Sequence, residues 1–540
     1  MSLLRCTGRN RGSSSLDRRG LALLAFLFAL YCLTRAIGIS HFELHNDETI
    51  YIEVGQIIGA NWEENKYWTL DGRMRSDYKY PIPYWLGSWI LQHSDSIPYN
   101  VRVLSCAFGL LGIASLFLLA ASIWDLRAAF FTCILILFSE YFLYFDSIFL
   151  AESFVYGLGG LFWLLVHENA RRPRVWMTLL AGMVGCLLLT TKASAKLFAV
   201  WSIPLLFLGW RSSEGTRGER SASDRKRGRW CLLQGLVYGL SILGHYALMP
   251  NNPDRVREYL VQTNVIRGVD ELMAFPWHGW LENLQFYQAI WKTEWGVAGV
   301  GMLLLVLVVG RLLWGGKRAL FEKYVVLGLM AVAALIPVIL LSKVQYVRHF
   351  GSGFYAVYLF LGVSLAVGSD SVPDRMGGMR KVLLCVGLVG LMTWKACVSY
   401  EPLFRWRQTP MAIQETPWDW AKGIGIYALI DFLKTLPPGT LIIPPTWGHP
   451  ATAVEVFKRQ YPQLKLLGPP TISISGLSAH AREISPEPLY FVYDPRDKSQ
   501  AERPLSRVCV PRKIIDKKFQ DQTFRDSQLV VCEMRTDNRG

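Results

Sequence analysis

The sequence predicts a polytopic α-helical membrane protein of about eleven transmembrane helices, followed by a small C-terminal α/β domain outside the membrane. Three observations lead to this fold class. Hydrophobic residues make up 51% of the 540 residues and charged residues only 18%, which is too apolar for an ordinary soluble multidomain protein. Apolar runs of about twenty residues, long enough to cross a bilayer, recur over residues 1–400. After residue 400, the apolar runs shorten to strand length, and charged residues and prolines become more frequent.

The first predicted helix follows a basic, serine-containing leader. Its apolar run is longer than the core of a signal peptide, and no small-residue cleavage site follows it, so we predict that the helix is retained. The predicted spans, taken in order along the chain, are residues 20–39, 101–123, 128–145, 149–166, 175–191, 195–210, 230–249, 296–314, 323–341, 350–368 and 381–399.

The net charge is +15, and the position of the basic residues along the chain explains it. They concentrate in segments that the predicted spans place on one side of the membrane, which is the pattern of cytoplasmic loops. The charge therefore indicates topology rather than a nucleic-acid partner, and it predicts a cytoplasmic N-terminus. The segment 211–229 is also rich in Ser and Gly, and by itself it indicates a flexible solvated loop. The basic segments are 5–19, 171–174, 211–229, 317–323 and 375–381.

This topology divides the chain into a membrane domain, residues 1–400, and an extracytoplasmic α/β domain, residues 401–540. Two further outer segments are residues 40–100 and 250–295. In the first of them, "PIPYWLGSWIL" is short for a span and rich in Trp and Tyr, which is typical of a helix lying in the interface. In the C-terminal domain, "TLIIPP", "PLYFVYD" and "QLVVCEM" predict strands, whereas "GIGIYALIDFLKTL" and "ATAVEVFKRQY" predict amphipathic helices.

Most of the ten cysteines lie in or beside predicted spans, where they act as small apolar residues. Cys509 and Cys532 belong to the C-terminal domain, so a disulfide between them is open if that compartment is oxidising. The chain contains no CxxC or HExxH motif, and no metal site is predicted from such a pattern.

The stretch 45–56, "HNDETIYIEVGQ", places two adjacent carboxylates where the first span ends. One interpretation is a helix start, because Asn46 can cap a helix and because Asp47 and Glu48 suit its positive end. Ile50 and Val54 then fall on one apolar face. The other interpretation is a reactive site at the outer surface of the membrane.

Several ionisable residues lie near the outer ends of other predicted spans, where burial of a charge is costly unless it serves a site or a pair. Together they could surround one outer cavity. Purely structural interpretations are also open. Lysines near helix ends can extend to the membrane surface, and Glu152 can pair with a cation only to satisfy its charge. The residues are Asp146, Glu152, Lys192, Lys196, Arg348 and His349.

Seven stretches occur in an order that matches one family. The series resembles the membrane glycosyltransferases of the GT-C architecture, specifically the protein mannosyltransferase-like branch that includes aminoarabinose transferases. The stretches are Asp47-Glu48-Thr49, "YKYPIPYWL" with Lys79, the block that contains Arg102, "FDSIFLAES" with Glu152, "LLTTKASAKL" with Lys192, "NNPDRVREYLVQTNVIRG" with Arg267, and "YVRHF" with Arg348.

The chain departs from the pattern of that family at several positions. Glu152 stands where the family generally has Asp, Ala193 replaces a Gly, and His349 replaces a Tyr. The residues before Lys79 are Asp77 and Tyr78 rather than the acidic-Lys pair of some relatives, which puts a metal-binding role there in doubt. A divalent metal is possible, and metal dependence stays open.

The resemblance implies a hexosyl- or pentosyltransferase in a bacterial inner or plasma membrane. It would move a sugar from a polyprenyl-phosphate donor to a lipid, polysaccharide or protein acceptor on the non-cytoplasmic face. Asp47 is then the general base for the acceptor hydroxyl, Glu48 orients it or binds the acceptor, and Glu152 shapes the same site. A single displacement would invert the anomeric centre.

The same resemblance assigns cations to the phosphate of the leaving group, where negative charge develops. These are Lys79, Arg267 and Arg348, with Lys192 as a weaker fourth. Tyr84 and Trp85 would line an apolar groove for the prenyl chain.

Two other functions compete with this interpretation. A multispan lipid or solute transporter, or a flippase, would also have many spans, but transporters tend to place charges near the midplane and to contain repeated halves. A sensor or scaffold would leave the matched acidic and basic motifs unexplained.

Overall fold

The computed structural model describes most of the membrane region and parts of the C-terminal region. The described residues are 18–42, 44–65, 81–94, 97–214, 223–248, 266–314, 318–343, 345, 347–370, 390, 393–395, 397–398, 426–443, 457, 461–466, 489–493, 509–516 and 528–534.

The membrane region is helical, as the apolar runs predict, and the chain is a polytopic α-helical membrane protein. Every predicted span except 381–399, most of which lies outside the described residues, overlaps a helix. The helices are α1 Arg18–His41, α2 Asn46–Ala60, α3 Trp62–Asn65, α4 Ile82–His93, α5 Tyr99–Ile123, α6 Leu126–Leu137, α7 Glu140–Ser147, α8 Ala151–Arg171, α9 Val175–Leu189, α10 Ala195–Glu214, α11 Ser223–Leu248, α12 Val269–Met273, α13 Trp277–Trp314, α14 Arg318–Leu341 and α15 Gly351–Asp370, and a 3-10 helix covers Val347–Phe350.

Within the described residues, four helical stretches are both long and apolar enough to cross a membrane by themselves: Arg18–His41, Tyr99–Ile123, Trp230–Leu248 and Leu320–Leu341. Helices α6 and α7 pass the same test as a pair, but they are bent by 67° relative to one another. The other predicted spans are shorter, broken or carry more polar residues. The total of about eleven spans therefore stays a prediction.

The predicted span 128–145 is not one straight helix, because the chain breaks between α6 and α7. The exposed ends of a broken helix need polar partners inside a membrane. Glu294, which is completely buried, accepts hydrogen bonds from the backbone N–H groups of Glu140 (3.1 Å) and Tyr141 (3.4 Å) at the start of α7. Arg35 donates to the carbonyl of Leu137 (3.1 Å) at the end of α6. Buried charged side chains thus stabilise both sides of the break.

Arg35 also pairs with Asp146, one of the ionisable residues expected near the outer ends of the helices. The two side chains form a buried ion pair, with Nη2 3.3 Å from Oδ2. Asp146 therefore belongs to the helix packing around α1 and α7.

The helices pack most extensively in the pairs α5 with α8, α8 with α10, α6 with α15, and α9 with α11. Gly157 of α8 lies directly against the backbone of Phe108 of α5, so a side chain at 157 would clash there. A second small residue, Gly351, lies against the hydroxyl of Tyr156. The stretch "GSG" at 351–353 therefore takes part in a close helix contact.

The predicted span 296–314 is the second half of α13. Gly296 has a φ of 53° and a ψ of −137°, so the helix is broken at the residue where the predicted span begins. A positive φ is easily adopted by glycine, which lacks a Cβ atom. The bend places Glu294 just before it, facing α7.

The described part of residues 401–540 contains one helix and a five-stranded mixed sheet. The helix, α16 Ile426–Lys434, buries Ile426, Leu429, Ile430 and Leu433 on one face. The strands are β1 Leu441–Ile443, β2 Lys465–Leu466, β3 Leu489–Tyr493, β4 Cys509–Asp516 and β5 Gln528–Met534. Their order is β2-β1-β3-β5-β4, with β1 parallel to β2 and β3, and β5 antiparallel to β3 and β4.

The three strands predicted from sequence correspond to β1, β3 and β5, whereas most of "ATAVEVFKRQY" lies outside the described residues. The boundary at residue 400 and the side of the membrane stay predictions. In the ladder of β4 and β5, Cys509 pairs with Met534 and Cys532 pairs with Pro511. The two cysteines are therefore diagonal neighbours along the ladder, and their disulfide stays a prediction.

Candidate active site

The site begins at the N-terminus of α2, and the residue that caps this helix is His45. Its Nδ1 accepts a hydrogen bond from the backbone N–H of Asp47 (3.0 Å), while Glu48 accepts one from the backbone N–H of His45 (3.4 Å). The two bonds form a capping box. The expectation that Asn46 caps the helix is therefore wrong, because the helix starts one residue earlier and His45 has the extended backbone of a cap (φ −76°, ψ 144°).

The adjacent carboxylate, Glu48, is completely buried and forms a two-pronged ion pair with Arg102. Nε donates to Oε1 at 2.8 Å, and Nη2 donates to Oε2 at 2.7 Å. Arg102 also donates to the carbonyls of Ile39 and Phe42 at the end of α1, both at 2.9 Å. The backbone N–H of Phe149, before α8, donates to Glu48 Oε1 at 2.8 Å. This network joins α1, α2, α5 and the α7–α8 connection.

These contacts bear on the two roles expected for Glu48, to orient Asp47 or to bind the acceptor. Both of its carboxylate oxygens are occupied, and neither Glu48 nor Arg102 is accessible in the ion pair, with 0% of each side chain exposed. A buried pair of this kind can bind no acceptor without breaking. Glu48 positions the start of α2, and Asp47 is the carboxylate that remains accessible.

Asp47 forms an ion pair with Arg348, a residue of the 3-10 helix between α14 and α15. About a fifth of each side chain is exposed, 22% for Asp47 and 19% for Arg348. The backbone carbonyl of Arg348 accepts a hydrogen bond from the hydroxyl of Tyr141 (3.3 Å), and Tyr141 in turn contacts the hydroxyl of Tyr156. The broken segment α7 therefore helps to hold Arg348 in place.

A second ion pair joins Glu152, in the first turn of α8, to Lys192, which follows α9. Glu152 is 3% exposed and Lys192 is 24% exposed, so the lysine is the accessible partner. The expectation that Glu152 shapes the site and that Lys192 lies near it is compatible with this geometry. The pairing also means that neither residue acts independently of the other.

His45 lies among these charges. Burial lowers the pKa of its imidazole below the usual range, and Arg348 acts in the same direction, whereas Asp47, Glu48 and Glu152 raise it. Both members of the Asp47–Arg348 pair and the carboxylate of the Glu152–Lys192 pair thus act electrostatically on one ring, so residues 45–48, 152 and 348 belong to one region. His45 could not be predicted as a site residue from the sequence, because a lone histidine before an acidic pair matches no motif.

Arg267 contacts the end of α14, just before the segment that carries Arg348. Its Nη1 donates to the carbonyls of Leu340 (3.0 Å) and Ser342 (2.6 Å), at and just after the end of α14. The hydroxyl of Ser342 is 3.3 Å from Nδ1 of His349, the neighbour of Arg348. Arg267 is therefore connected to the segment that carries Arg348. Lys79, the other expected phosphate ligand, lies outside the described residues.

The two residues expected to line a lipid groove have different environments. Tyr84 is buried, and its ring stacks on that of Tyr51 with centroids 4.6 Å apart. It is therefore a packing residue between α2 and α4 rather than a groove wall. Trp85 is half-buried beside Trp62, with ring centroids 5.8 Å apart. Leu86 and Trp89 are exposed and form an apolar surface on α4.

Among the described residues, no group of three or more His, Cys, Asp and Glu side chains could hold a metal ion. The carboxylates of Asp47 and Glu152 form ion pairs with Arg348 and Lys192.

Comparison with known proteins identifies the fold. No family model and no curated protein sequence matches this chain. Two solved structures of ArnT, an aminoarabinose transferase, from Cupriavidus metallidurans are similar over almost the full length. The first, bound to undecaprenyl phosphate, has a TM-score of 0.56 at 14% identity and covers 95% of this chain and 97% of ArnT. The apo structure has a TM-score of 0.55 at 13% identity and covers 96% and 98%. The chain therefore has the GT-C fold that its motifs predicted.

Proposed function

We propose that this protein is a glycosyltransferase that moves a sugar from a polyprenyl-phosphate carrier to an acceptor on the non-cytoplasmic face of the membrane. The observation that carries the proposal is the partly exposed Asp47–Arg348 ion pair, together with the Glu152–Lys192 pair, whose carboxylate acts electrostatically on the same His45 ring as Asp47 and Arg348. A displacement at a phosphorylated sugar requires a carboxylate that can reach the acceptor and cations that can reach the phosphate, and Asp47, Arg348 and Lys192 are each partly exposed.

Asp47 is the proposed general base. Its carboxylate takes the proton of the acceptor hydroxyl while the hydroxyl oxygen forms a bond to the anomeric carbon. The bond between that carbon and the phosphate oxygen breaks, and the polyprenyl phosphate leaves with the electron pair. One displacement inverts the anomeric centre. Glu48 is not assigned this role, because Arg102 donates to both of its buried carboxylate oxygens.

The pairing of Asp47 with Arg348 supplies a way to couple donor binding to the base. A donor phosphate competes with Asp47 for the guanidinium, because Arg348 can form charge-assisted hydrogen bonds with either anion. When Arg348 turns to the phosphate, the Asp47 carboxylate is released from this ion pair and can accept the proton of the acceptor hydroxyl. In the same way, Glu152 and the donor phosphate compete for the ammonium group of Lys192. In this proposal, Asp47 becomes available as a base only when the donor is bound.

The remaining cations have roles that rest on the family resemblance. Arg267 is joined to the segment of Arg348 through Ser342, which supports a position near the donor. Lys79 precedes α4, whose exposed residues Leu86 and Trp89 offer an apolar surface for the prenyl chain. The similarly folded ArnT was crystallised with undecaprenyl phosphate, which favours a carrier of this class.

The test is a transfer assay with the protein purified in lipid. We expect one of a panel of labelled polyprenyl-phosphate sugars to be consumed with release of the free polyprenyl phosphate, and we expect the Asp47→Asn variant to release it at least about 10²-fold more slowly. A transporter or flippase would instead move a labelled lipid across a vesicle membrane and leave its sugar–phosphate bond intact. Movement without cleavage over the whole panel would therefore reject the enzyme.

A further inference from the structure

The imidazole of His45 has one nitrogen that the protein uses and one that it does not. Nδ1 accepts the hydrogen bond of the Asp47 backbone N–H, and a backbone N–H can only donate. Nδ1 is therefore unprotonated, and in the neutral ring the proton is on Nε2. Nε2 is buried and has no hydrogen-bond partner among the described residues. His45 is only 4% exposed, so this N–H is a directed donor in a largely enclosed place.

A buried donor without a partner is unfavourable unless something completes its hydrogen bond. The surroundings indicate what that group would be. The ring caps the positive end of the fifteen-residue helix α2, where anions are stabilised. It also lies within electrostatic reach of Arg348.

We propose that Nε2–H of His45 donates a hydrogen bond to a phosphate oxygen of the lipid-linked donor, and that His45 is a phosphate-binding residue of the site. The proposal rests on the proposed function and adds a ligand to it. A phosphate oxygen fits better than the acceptor hydroxyl, because the hydroxyl must give its proton to Asp47, whereas a phosphate oxygen only accepts. The neutral N–H also adds a directional contact without adding charge to a site that already contains Arg348 and Lys192.

His45 thus has two separable functions, the helix cap at Nδ1 and the phosphate contact at Nε2. Two substitutions distinguish them. Asparagine is a strong N-cap residue whose side-chain oxygen can accept from the Asp47 N–H, but it has no donor at the distance of Nε2. Glutamine reaches further, and its amide nitrogen can take the place of Nε2 as a donor, although it caps poorly.

The experiment measures binding of undecaprenyl phosphate to the purified full chain, with undecaprenol as the phosphate-free control. For His45→Asn we expect unchanged thermal stability. We expect the dissociation constant for undecaprenyl phosphate to rise about tenfold, which is the effect of losing about one hydrogen bond. For His45→Gln we expect lower stability with most of the affinity kept. Undecaprenol binding should be the same in all three proteins.

A spectroscopic readout separates contact from an indirect effect. In protein labelled with ¹⁵N-histidine, the signal that disappears in His45→Asn is that of His45, and its Nε2 resonance should shift when undecaprenyl phosphate is added, but not when undecaprenol is added. Equal phosphate affinity of His45→Asn and the wild-type protein, or an unmoved resonance, would overturn the assignment. If the wild-type protein does not bind undecaprenyl phosphate at all, the lipid-phosphate donor of the proposed function fails as well.

Discussion

Arg348 forms an ion pair with Asp47 although 301 positions separate the two residues in the chain. The pair joins the first turn of α2 to the short helix before α15. It is partly exposed, whereas the ion pair of the neighbouring Glu48 with Arg102 is completely enclosed. Two adjacent carboxylates therefore have different chemistry, and the difference leads to separate predictions for each.

Asp47→Asn should reduce sugar transfer by a factor of about 10² to 10⁴, the usual contribution of a general base. The substitution should leave folding nearly unchanged, because a partly exposed ion pair contributes only about 0–1 kcal/mol to stability. Transfer rate and thermal unfolding would be measured on the same preparation. The matched control is Glu53→Gln, which removes a carboxylate from the same helix, more than one turn further along. Wild-type turnover by a folded Asp47→Asn protein would reject Asp47 as the base.

Glu48→Gln, unlike Asp47→Asn, should cause a large loss of stability. Removing one partner of a buried ion pair leaves the other uncompensated, at a cost of about 3–5 kcal/mol. Glu48→Gln and Arg102→Met should each lower the unfolding temperature in lipid or detergent. The double variant should lose less than the sum of the two, because neither charge is then left alone. Additive losses would mean that the two residues act separately.

Glu294→Ala should destabilise the membrane region, because Glu294 accepts from the first N–H groups of α7 and is 3.6 Å from the buried Lys395. Its loss leaves both the helix start and the lysine without that partner. The control is Glu322→Ala, since the Glu322–Arg318 pair is exposed and contributes little. Thermal unfolding of the two variants should differ by several degrees. Equal unfolding temperatures would show that the capping contact is unimportant.

Acidification should destabilise the folded protein through His45. Burial lowers the pKa of His45 in the folded state, so the unfolded chain binds a proton at a higher pH than the folded chain does. This contribution to stability is complete above the unfolded value of about 6.5, and it decreases as the pH falls through that value. Between pH 7.5 and about 5.5, the unfolding temperature of the wild-type protein should fall more than that of His45→Asn. Parallel curves would contradict the expectation.

Arg348→Ala and Lys192→Ala should each weaken binding of undecaprenyl phosphate, and the dependence of binding on salt should become shallower as each charge is lost. Arg348→Lys keeps the charge but not the two-pronged hydrogen bonding of the guanidinium, so it should restore binding only in part. An unchanged affinity in both alanine variants would remove these two residues from the phosphate site.

The helices of the membrane region were predictable because twenty apolar residues in a row have few alternatives in a bilayer. The motifs around Asp47, Glu152, Lys192 and Arg348 were likewise readable in order along the chain. The break between α6 and α7 could not be predicted from the sequence, since residues 126–147 are apolar on both sides of it. That break depends on Glu294, which is supplied by a helix more than 140 positions later.

By itself, the sequence determined that the chain crosses a membrane repeatedly and that its ionisable residues gather near particular helix ends, because hydropathy and charge are properties of local segments. Only the tertiary structure decided which carboxylate is available. Asp47 and Glu48 are chemically similar neighbours, and successive residues of a helix point about 100° apart, so one meets the buried Arg102 and the other the accessible Arg348. The cap at His45 was decided in the same way, because its role depends on which atoms surround the ring.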